Sequence, residues 1–219
     1  MNAPGKRAVI TGGEGDLARE ITAHLVDHGF QVDAPGRGQL DVTQASEVGI
    51  YFAERETDLL VCNAGITRDQ PLARLTDMDW QDVVDVNLKG AIRCTRAAIE
   101  SMKDRGGGSI VIVSSYSALH PPVGQSAYAA SKAALLGYVS ELAQEVGEDN
   151  IRINAILPGF LETKMTHSVR EERKGEVIEE HTLKRLNTPS EVAAFIRFLH
   201  QELPHTSGQV FQLDSRPRS

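Results

Sequence analysis

What most constrains this chain is a rhythm: short apolar runs rich in β-branched residues alternate with longer stretches of helical periodicity, the pattern of a parallel sheet wrapped by helices. Ala8-Val9-Ile10 reads as a first strand, Leu17 to His28 as a helix and Phe30-Gln31-Val32 as a second strand. Further strands are expected at Asp58 to Cys62, Ser109 to Ser115, Ile151 to Leu157 and Gln209 to Leu213, with helices at Gln44 to Arg55, Asp77 to Met102, Ala127 to Val146 and Pro189 to Leu203. The rhythm breaks once. Only Pro35-Gly36-Arg37-Gly38 separates the second strand from the extended-looking Gln39-Leu40-Asp41-Val42, whereas a parallel crossover takes about a dozen residues or more. No crossover helix fits there, so a third strand at that place should be rudimentary or absent.

A length of 219 residues suits one domain with a sizeable core, and neither a linker nor a repeat divides residues 1–219. At 41% hydrophobic and 24% charged residues the chain is neither disordered nor fibrous. No run approaches the roughly 18 apolar residues of a membrane span. The balance of 23 Lys and Arg against 30 Asp and Glu, a net charge of -7 with the basic residues dispersed, argues against a nucleic-acid groove. Cys62 and Cys94 lie in apolar surroundings and read as small buried residues, with no disulfide framework or metal cluster. Met1-Asn2-Ala3-Pro4-Gly5-Lys6-Arg7 leads into a strand pattern without a signal-peptide apolar region, so the reducing cytoplasm is the expected compartment. Gly106-Gly107-Gly108 is a helix stop without phosphate-loop context. The polar stretch Lys164 to Arg185 contains Arg170-Glu171-Glu172-Arg173-Lys174, a solvated helical face. Its place after a strand's carboxyl end suits a mobile cover over a site, spanning 164–187.

Thr11-Gly12-Gly13-Glu14-Gly15-Asp16-Leu17-Ala18 follows the first strand and opens a helix. Glycines there let the backbone approach a pyrophosphate closely, and the helix N-terminus supplies free N–H groups and partial positive charge. Read as Gly13-x-Gly15-x-x-Ala18, the turn fits the dinucleotide fingerprint.

Four more groups occur in order. Asn63-Ala64-Gly65 ends a strand, Asn87 sits in Val86-Asn87-Leu88-Lys89-Gly90, Ser115 precedes Tyr128-Ala129-Ala130-Ser131-Lys132, and Pro158-Gly159 follows. The ordered set resembles the short-chain dehydrogenase/reductase family over essentially the whole chain. Asn63-Ala64-Gly65-Ile66-Thr67-Arg68-Asp69, the run Pro158 to Thr166 and Thr206-Ser207-Gly208-Gln209 are similar to the branch of bacterial 3-oxoacyl-[acyl-carrier-protein] reductases and acetoacetyl-CoA reductases. The resemblance implies an α/β fold of the Rossmann type, with a doubly wound parallel sheet, and an NAD(P)-dependent oxidoreductase.

The chain also departs from that branch. Against its Thr-Gly-x-x-x-Gly-x-Gly spacing the later glycines fall on Asp16 and Ala18, and a carboxylate would repel a pyrophosphate. The Thr-Gly-x-x-Gly-x-x-Gly spacing of the extended, sugar-nucleotide-modifying members fits better, with Gly15 as the close-approach glycine and only Ala18 changed. The run from the second strand into Leu40-Asp41-Val42-Thr43 likewise resembles dTDP-4-dehydrorhamnose reductases. Near the end Asp214-Ser215-Arg216 replaces Asp-Gly-Gly, so the family's usual contacts there are not expected to carry over.

Tyr128 and Lys132, at i and i+4, project from one helix face. A nearby ammonium favours the phenolate and is expected to lower the Tyr128 pKa. The resemblance makes Tyr128 the proton donor to a ketone oxygen and gives Lys132 a second role at the nicotinamide ribose. It makes Ser115 a hydrogen-bond donor to the same oxygen and Asn87 the holder of a water behind Lys132. Each residue singly has an ordinary structural reading; the ordered tetrad carries the assignment.

For the cofactor, the resemblance places Gly12, Gly13, Gly15 and Leu17 at the pyrophosphate and Asp41 and Val42 beside the adenine. Asn63, Ala64 and Gly65 lie along the adenosine ribose, and Pro158, Gly159, Leu161 and Thr163 over the nicotinamide. The acidic position that would read the ribose 2′-hydroxyl falls on Gly36 and is followed by Arg37, which favours NADP(H) over NAD(H). Arg37 as a plain turn residue, with Asp33 or Asp41 nearer the adenosine, is the competing reading. His24 and His28 have i, i+4 metal spacing but no third ligand, and His120 lies on the substrate side in relatives.

The reaction implied is reduction of a 3-oxoacyl thioester. A sugar or secondary-alcohol dehydrogenase of the same family and a non-catalytic nicotinamide-binding sensor are its rivals. The thioester is carried either by acyl carrier protein, for which Arg105 and Lys174 lie near the places relatives use, or by coenzyme A. The long helices Asp77 to Met102 and Ala127 to Val146 resemble those that pair about two-fold axes, implying a homodimer or homotetramer.

Overall fold

A computed structural model describes residues 6–167 and 169–217 of the chain. Residues 1–5, which include most of the segment examined for a signal peptide, lie outside the described residues. Strand β1 (Arg7–Ile10) leads into helix α1 (Asp16–Asp27) and strand β2 (Gln31–Asp33). Helix α2 (Ala45–Ala53) and strand β3 (Leu59–Cys62) follow, then helices α3 (Asp77–Val84) and α4 (Ala91–Asp104). Strand β4 (Gly108–Val113), helix α5 (Ser126–Glu145) and strand β5 (Ile151–Leu157) come next. Helices α6 (Glu171–Glu180) and α7 (Pro189–Gln201) and strand β6 (Val210–Gln212) complete the series.

All strands join one parallel sheet in the order β2-β1-β3-β4-β5-β6, the Rossmann-type arrangement. Both faces are covered, which is why the strands read as unbroken apolar runs. Alternation along each strand divides the core. Ala8, Ile10, Leu59 and Val61 face Ile21 and Leu25 of α1 and Val192, Ile196 and Leu199 of α7. Val9, Leu60 and Cys62 face Phe52 of α2, Ala98 and Met102 of α4, and Leu135 and Val139 of α5. Ala18, Ile21 and Leu25 show the helical spacing that makes α1 one-sided. Capping boxes, Thr76 with Asp79 and Thr188 with Glu191, start α3 and α7.

No strand forms at 39–42. Gln39 and Leu40 both donate backbone N–H groups to the Gly36 carbonyl at 3.0 Å, and the Asp41 carboxylate accepts from the Thr43 N–H and hydroxyl at 2.9 and 2.8 Å. These turn bonds consume the groups a strand would need. Leu40 and Val42 instead enter the core beside Val48 and Phe52. The three-residue β2 is left at the sheet edge, and α2 carries the chain past β1 to β3.

The single helix expected over Asp77 to Met102 is interrupted. A π-helical stretch, Asp85–Gly90, separates α3 from α4, and there Asn87 turns inward and is buried. The other elements lie within two or three residues of their expected ends.

The order reverses between β1 and β3, so their carboxyl ends form the crevice where open α/β sheets bind ligands. The glycine turn fills it under tight constraint. The Gly13 N–H donates to the Pro35 carbonyl at 2.9 Å, and a Cβ at Gly13 would stand 2.0 Å from the Ala34 carbonyl oxygen. Backbone rather than a flexible side chain blocks that space, so Gly13→Ala is expected to cost about 1–3 kcal/mol, measured as a lower urea midpoint with an unchanged m-value.

Candidate active site

Helix α5 is docked on the end of β4 by reciprocal bonds: the Lys132 ammonium donates to the Val113 carbonyl at 2.7 Å, and the Ser114 hydroxyl to the Lys132 carbonyl at 2.9 Å. The next residue, Ser115, lies beside the Tyr128 phenol, whose ionised form it favours, and accepts a hydrogen bond from the Ser117 N–H at 3.1 Å. Lys132 Nζ stands 5.8 Å from the Tyr128 ring centre. Asn87 completes the group from the π-helical stretch. Its carboxamide accepts from the Ile66 N–H at 2.8 Å and donates to the Ile66 carbonyl at 3.0 Å and the Ser131 hydroxyl at 3.1 Å. Ser131 in turn donates to the Tyr128 carbonyl at 2.7 Å.

Asn63-Ala64-Gly65 joins this group to the glycine turn. The Thr11 hydroxyl accepts from the N–H groups of Asn63 and Ala64 at 3.1 and 3.0 Å, and the Asn63 side chain donates to the Thr11 carbonyl at 3.1 Å. A Cβ at Gly65 would lie 3.4 Å from Asn87 Oδ1 and 3.6 Å from Lys132 Nζ. Gly12 has φ of +71° with its Cα face against Ala64, and Gly15 caps α1 while exposed, which leaves the helix N-terminus and Leu17 behind it open to an anion. This cradle fits a dinucleotide pyrophosphate.

Burial dominates the electrostatics. It lifts the Tyr128 phenol above its ordinary value, only partly opposed by the Ser115 hydrogen bond, and pushes the Lys132 ammonium down to about 8. The lowering of Tyr128 expected from Lys132 does not appear: burial, which desolvates both groups, sets the direction.

Both acids of the turn, Asp16 and Glu14, have places. Asp16 accepts the Lys164 backbone N–H at 2.6 Å, tying the start of α1 to the segment after β5. Within that segment Thr166 closes a turn on Leu161 and Thr163. Glu14 lies over buried Gly36. Arg37 is exposed, with Nε 3.3 Å from the Asp41 carboxylate, and Asp33 is paired with Arg55 at 3.1 Å. Val42 is buried against Gly90.

The ending Asp214-Ser215-Arg216 makes contacts of its own. Asp214, its side chain fully enclosed, packs against Gly159, beside Pro158, and accepts from Arg216 Nε at 2.8 Å. The Ser215 carbonyl accepts from the Thr182 N–H and hydroxyl at 3.0 and 2.9 Å. The Arg216 guanidinium lies 3.4 Å over the Tyr116 ring. His120 stacks on Tyr116 at 4.4 Å; at these spacings the two groups must occupy opposite faces of the ring.

Sequence reasoning missed Thr11, Ser114, Ser131 and this terminal clasp. A threonine before the first glycine and a serine inside the Tyr-to-Lys turn were the only local signals. Arg105 does not reach the site: it follows α4 at the opposite end of the sheet and bonds Asp58 at 2.8 Å and Glu56 at 2.9 Å. Lys174 is paired with Glu171 at 2.6 Å. His24 and His28 stack on each other, and among the described residues no group of three or more ligand-type side chains could hold a metal. Cys62 and Cys94 are buried free thiols, both pushed up by burial.

A family model described as short chain dehydrogenase matches residues 38–174. A 3-oxoacyl-[acyl-carrier-protein] reductase FabG of Thermotoga maritima is 42% identical over 207 residues, covering 91% of this chain and 84% of that protein. The enzyme of the same name from Aquifex aeolicus is 34% identical, covering 98% and 88%. That of Escherichia coli is 30% identical, covering 98% of each, over 238 aligned positions against 219 residues here, so it carries positions this chain lacks.

Lys132 gives a test independent of ligands. An amine held below its ordinary value contributes stability that is present above about 10.5, the unfolded value, and lost as pH falls through about 8, the folded one. Lys132→Met is therefore expected to raise the unfolding free energy at pH 6 by on the order of 2–3 kcal/mol, with the gain shrinking toward pH 10. Thermal and urea unfolding at the two pH values measure it.

Proposed function

The chain belongs to the short-chain dehydrogenase/reductase family of NAD(P)-dependent oxidoreductases, and on that premise we propose that it reduces the ketone of a 3-oxoacyl thioester with NADP(H). The observation that carries the proposal is Ser115 beside the Tyr128 phenol, on the helix whose Lys132 is buried and bonded to the end of β4, next to the crevice between β1 and β3.

Gly12, Gly13, Gly15 and Leu17 hold the pyrophosphate; Asp41, Val42, Asn63, Ala64 and Gly65 line the adenosine; Arg37 meets the 2′-phosphate. Pro158, Gly159, Leu161 and Thr163 border the nicotinamide, which when bound supplies the hydride. Tyr128 delivers the proton to the carbonyl oxygen. Its raised pKa keeps the phenol protonated, as reduction requires. Ser115 donates a hydrogen bond to the same oxygen, where negative charge develops. Lys132, as ammonium, offsets the phenolate left behind, and Asn87 positions Lys132 and holds the water that returns a proton. Residues 164–187 cover the substrate, fastened by Asp16 at one end and by Ser215 at the other.

The thioester reading rests on the sequence similarity to 3-oxoacyl reductases. Acyl carrier protein and coenzyme A present the same reacting group; the pairing of Arg105 and Lys174 within the chain gives the carrier no free cation at those two places. Pairing of α4 and α5 with those of another copy would give a homodimer or homotetramer. Two unpaired buried thiols suit the cytoplasm, and no described helix is long and apolar enough to cross a membrane.

Steady-state reduction of acetoacetyl-CoA with NADPH is the test. Tyr128→Phe is expected to lower kcat by roughly 10²–10⁴-fold with the melting temperature retained, whereas a folded wild-type protein that turns over neither nicotinamide would overturn the proposal. The pH profile is a second check. Because Lys132 loses its charge at about 8 in the free protein, kcat/KM for the cofactor should be level in acid and fall above that pH.

A further inference from the structure

Gly36 is the position, about 20 residues beyond the glycine turn, where an acidic side chain would bond the adenosine ribose. It has no side chain, yet its space is not empty. A Cβ built there would stand 2.6 Å from Glu14 Cδ and Oε1 and 2.7 Å from Glu14 Cγ, so the Glu14 side chain occupies the volume a residue at 36 would claim. Gly36 is buried beneath it, while Glu14 itself is exposed.

The charges around this spot are opposed. Arg37 is the cation placed to meet a 2′-phosphate, but its Nε is drawn 3.3 Å from Asp41. Asp41 is held below the usual carboxylate range chiefly by the Thr43 backbone N–H, so it stays ionised and keeps that hold. Glu14 adds a second carboxylate. A ribose 2′-hydroxyl can donate to a carboxylate, whereas a 2′-phosphate of charge about -1.5 to -2 is repelled by it.

We infer that Glu14 is a cofactor-specificity residue: reaching across from the glycine turn, its carboxylate does at the adenosine ribose what an acid at position 36 would do, and so limits the advantage of NADP(H) over NAD(H). The inference rests on the cofactor site proposed above, with Arg37 and Glu14 pulling the same ribose in opposite directions. It also explains why an acid is tolerated in a phosphate-binding turn: the side chain is laid away from the pyrophosphate, along the end of β2.

Calorimetric titration of the full-length protein with NAD+ and with NADP+, without substrate, tests it. The wild type should bind the two within about tenfold of each other. Glu14→Gln should weaken NAD+ and strengthen NADP+, moving the ratio at least tenfold toward NADP+; Glu14→Asp, which withdraws the carboxylate by one methylene, should move it less. The double variant Glu14→Gly with Gly36→Asp returns the acid to the strand end and should restore the wild-type ratio. An unchanged ratio in Glu14→Gln, with Arg37→Ala still shifting it toward NAD+, would overturn the role of Glu14 and leave the NADP(H) reading standing. An unchanged ratio in Arg37→Ala, with Glu14→Gln still shifting it, would overturn the NADP(H) reading instead and uphold Glu14.

Discussion

The hydroxyl of Thr11 sets the geometry on which the site depends. Two parallel strands must part where the sheet order reverses, and their last backbone groups would otherwise face an empty crevice. By accepting from both Asn63 and Ala64, Thr11 fixes the end of β3 against the end of β1. Gly65 is thereby set against Asn87 and Lys132, and Gly12 against Ala64. Cofactor turn and proton-transfer group are thus parts of one bonded frame rather than neighbours.

The frame holds a charged residue at a cost. Lys132 is buried with the Val113 carbonyl as its bonded partner among the described residues, and Asn87, Ser131 and Ser114 spend their polar groups fixing the helix that carries it. Side chains locked in this way keep reacting groups at productive distances, at the expense of stability. The interrupted helix serves the same end, since the π-helical stretch brings Asn87 into the core.

How much of this was legible in the sequence follows the range of the interactions. Tyr128 with Lys132 and the glycine turn are local patterns, readable from spacing alone. The missing third strand was readable too, because four residues cannot contain a crossover. The bonds that assemble the site join residues remote in the chain, as Asp16 does Lys164, and no periodicity announces them. The ion pairs of Arg105 and Arg37 were hidden for the same reason: a basic residue in sequence does not show which carboxylates the fold will bring to it. The direction of Glu14, over Gly36, is likewise set by a contact remote in the chain.

The clasp formed by Asp214, Ser215 and Arg216 has a different standing from the core. Exposed Thr182 and Leu183 are tied to Ser215 through a few bonds, whereas Lys132 and Asn87 are buried. Local opening should therefore release the substrate wall well below the free energy of global unfolding, with amide protons at 182–183 exchanging long before those of β4. Selectivity and proton transfer then belong to separate cooperative units, and warming or mild denaturant would loosen the choice of substrate before it stops the chemistry.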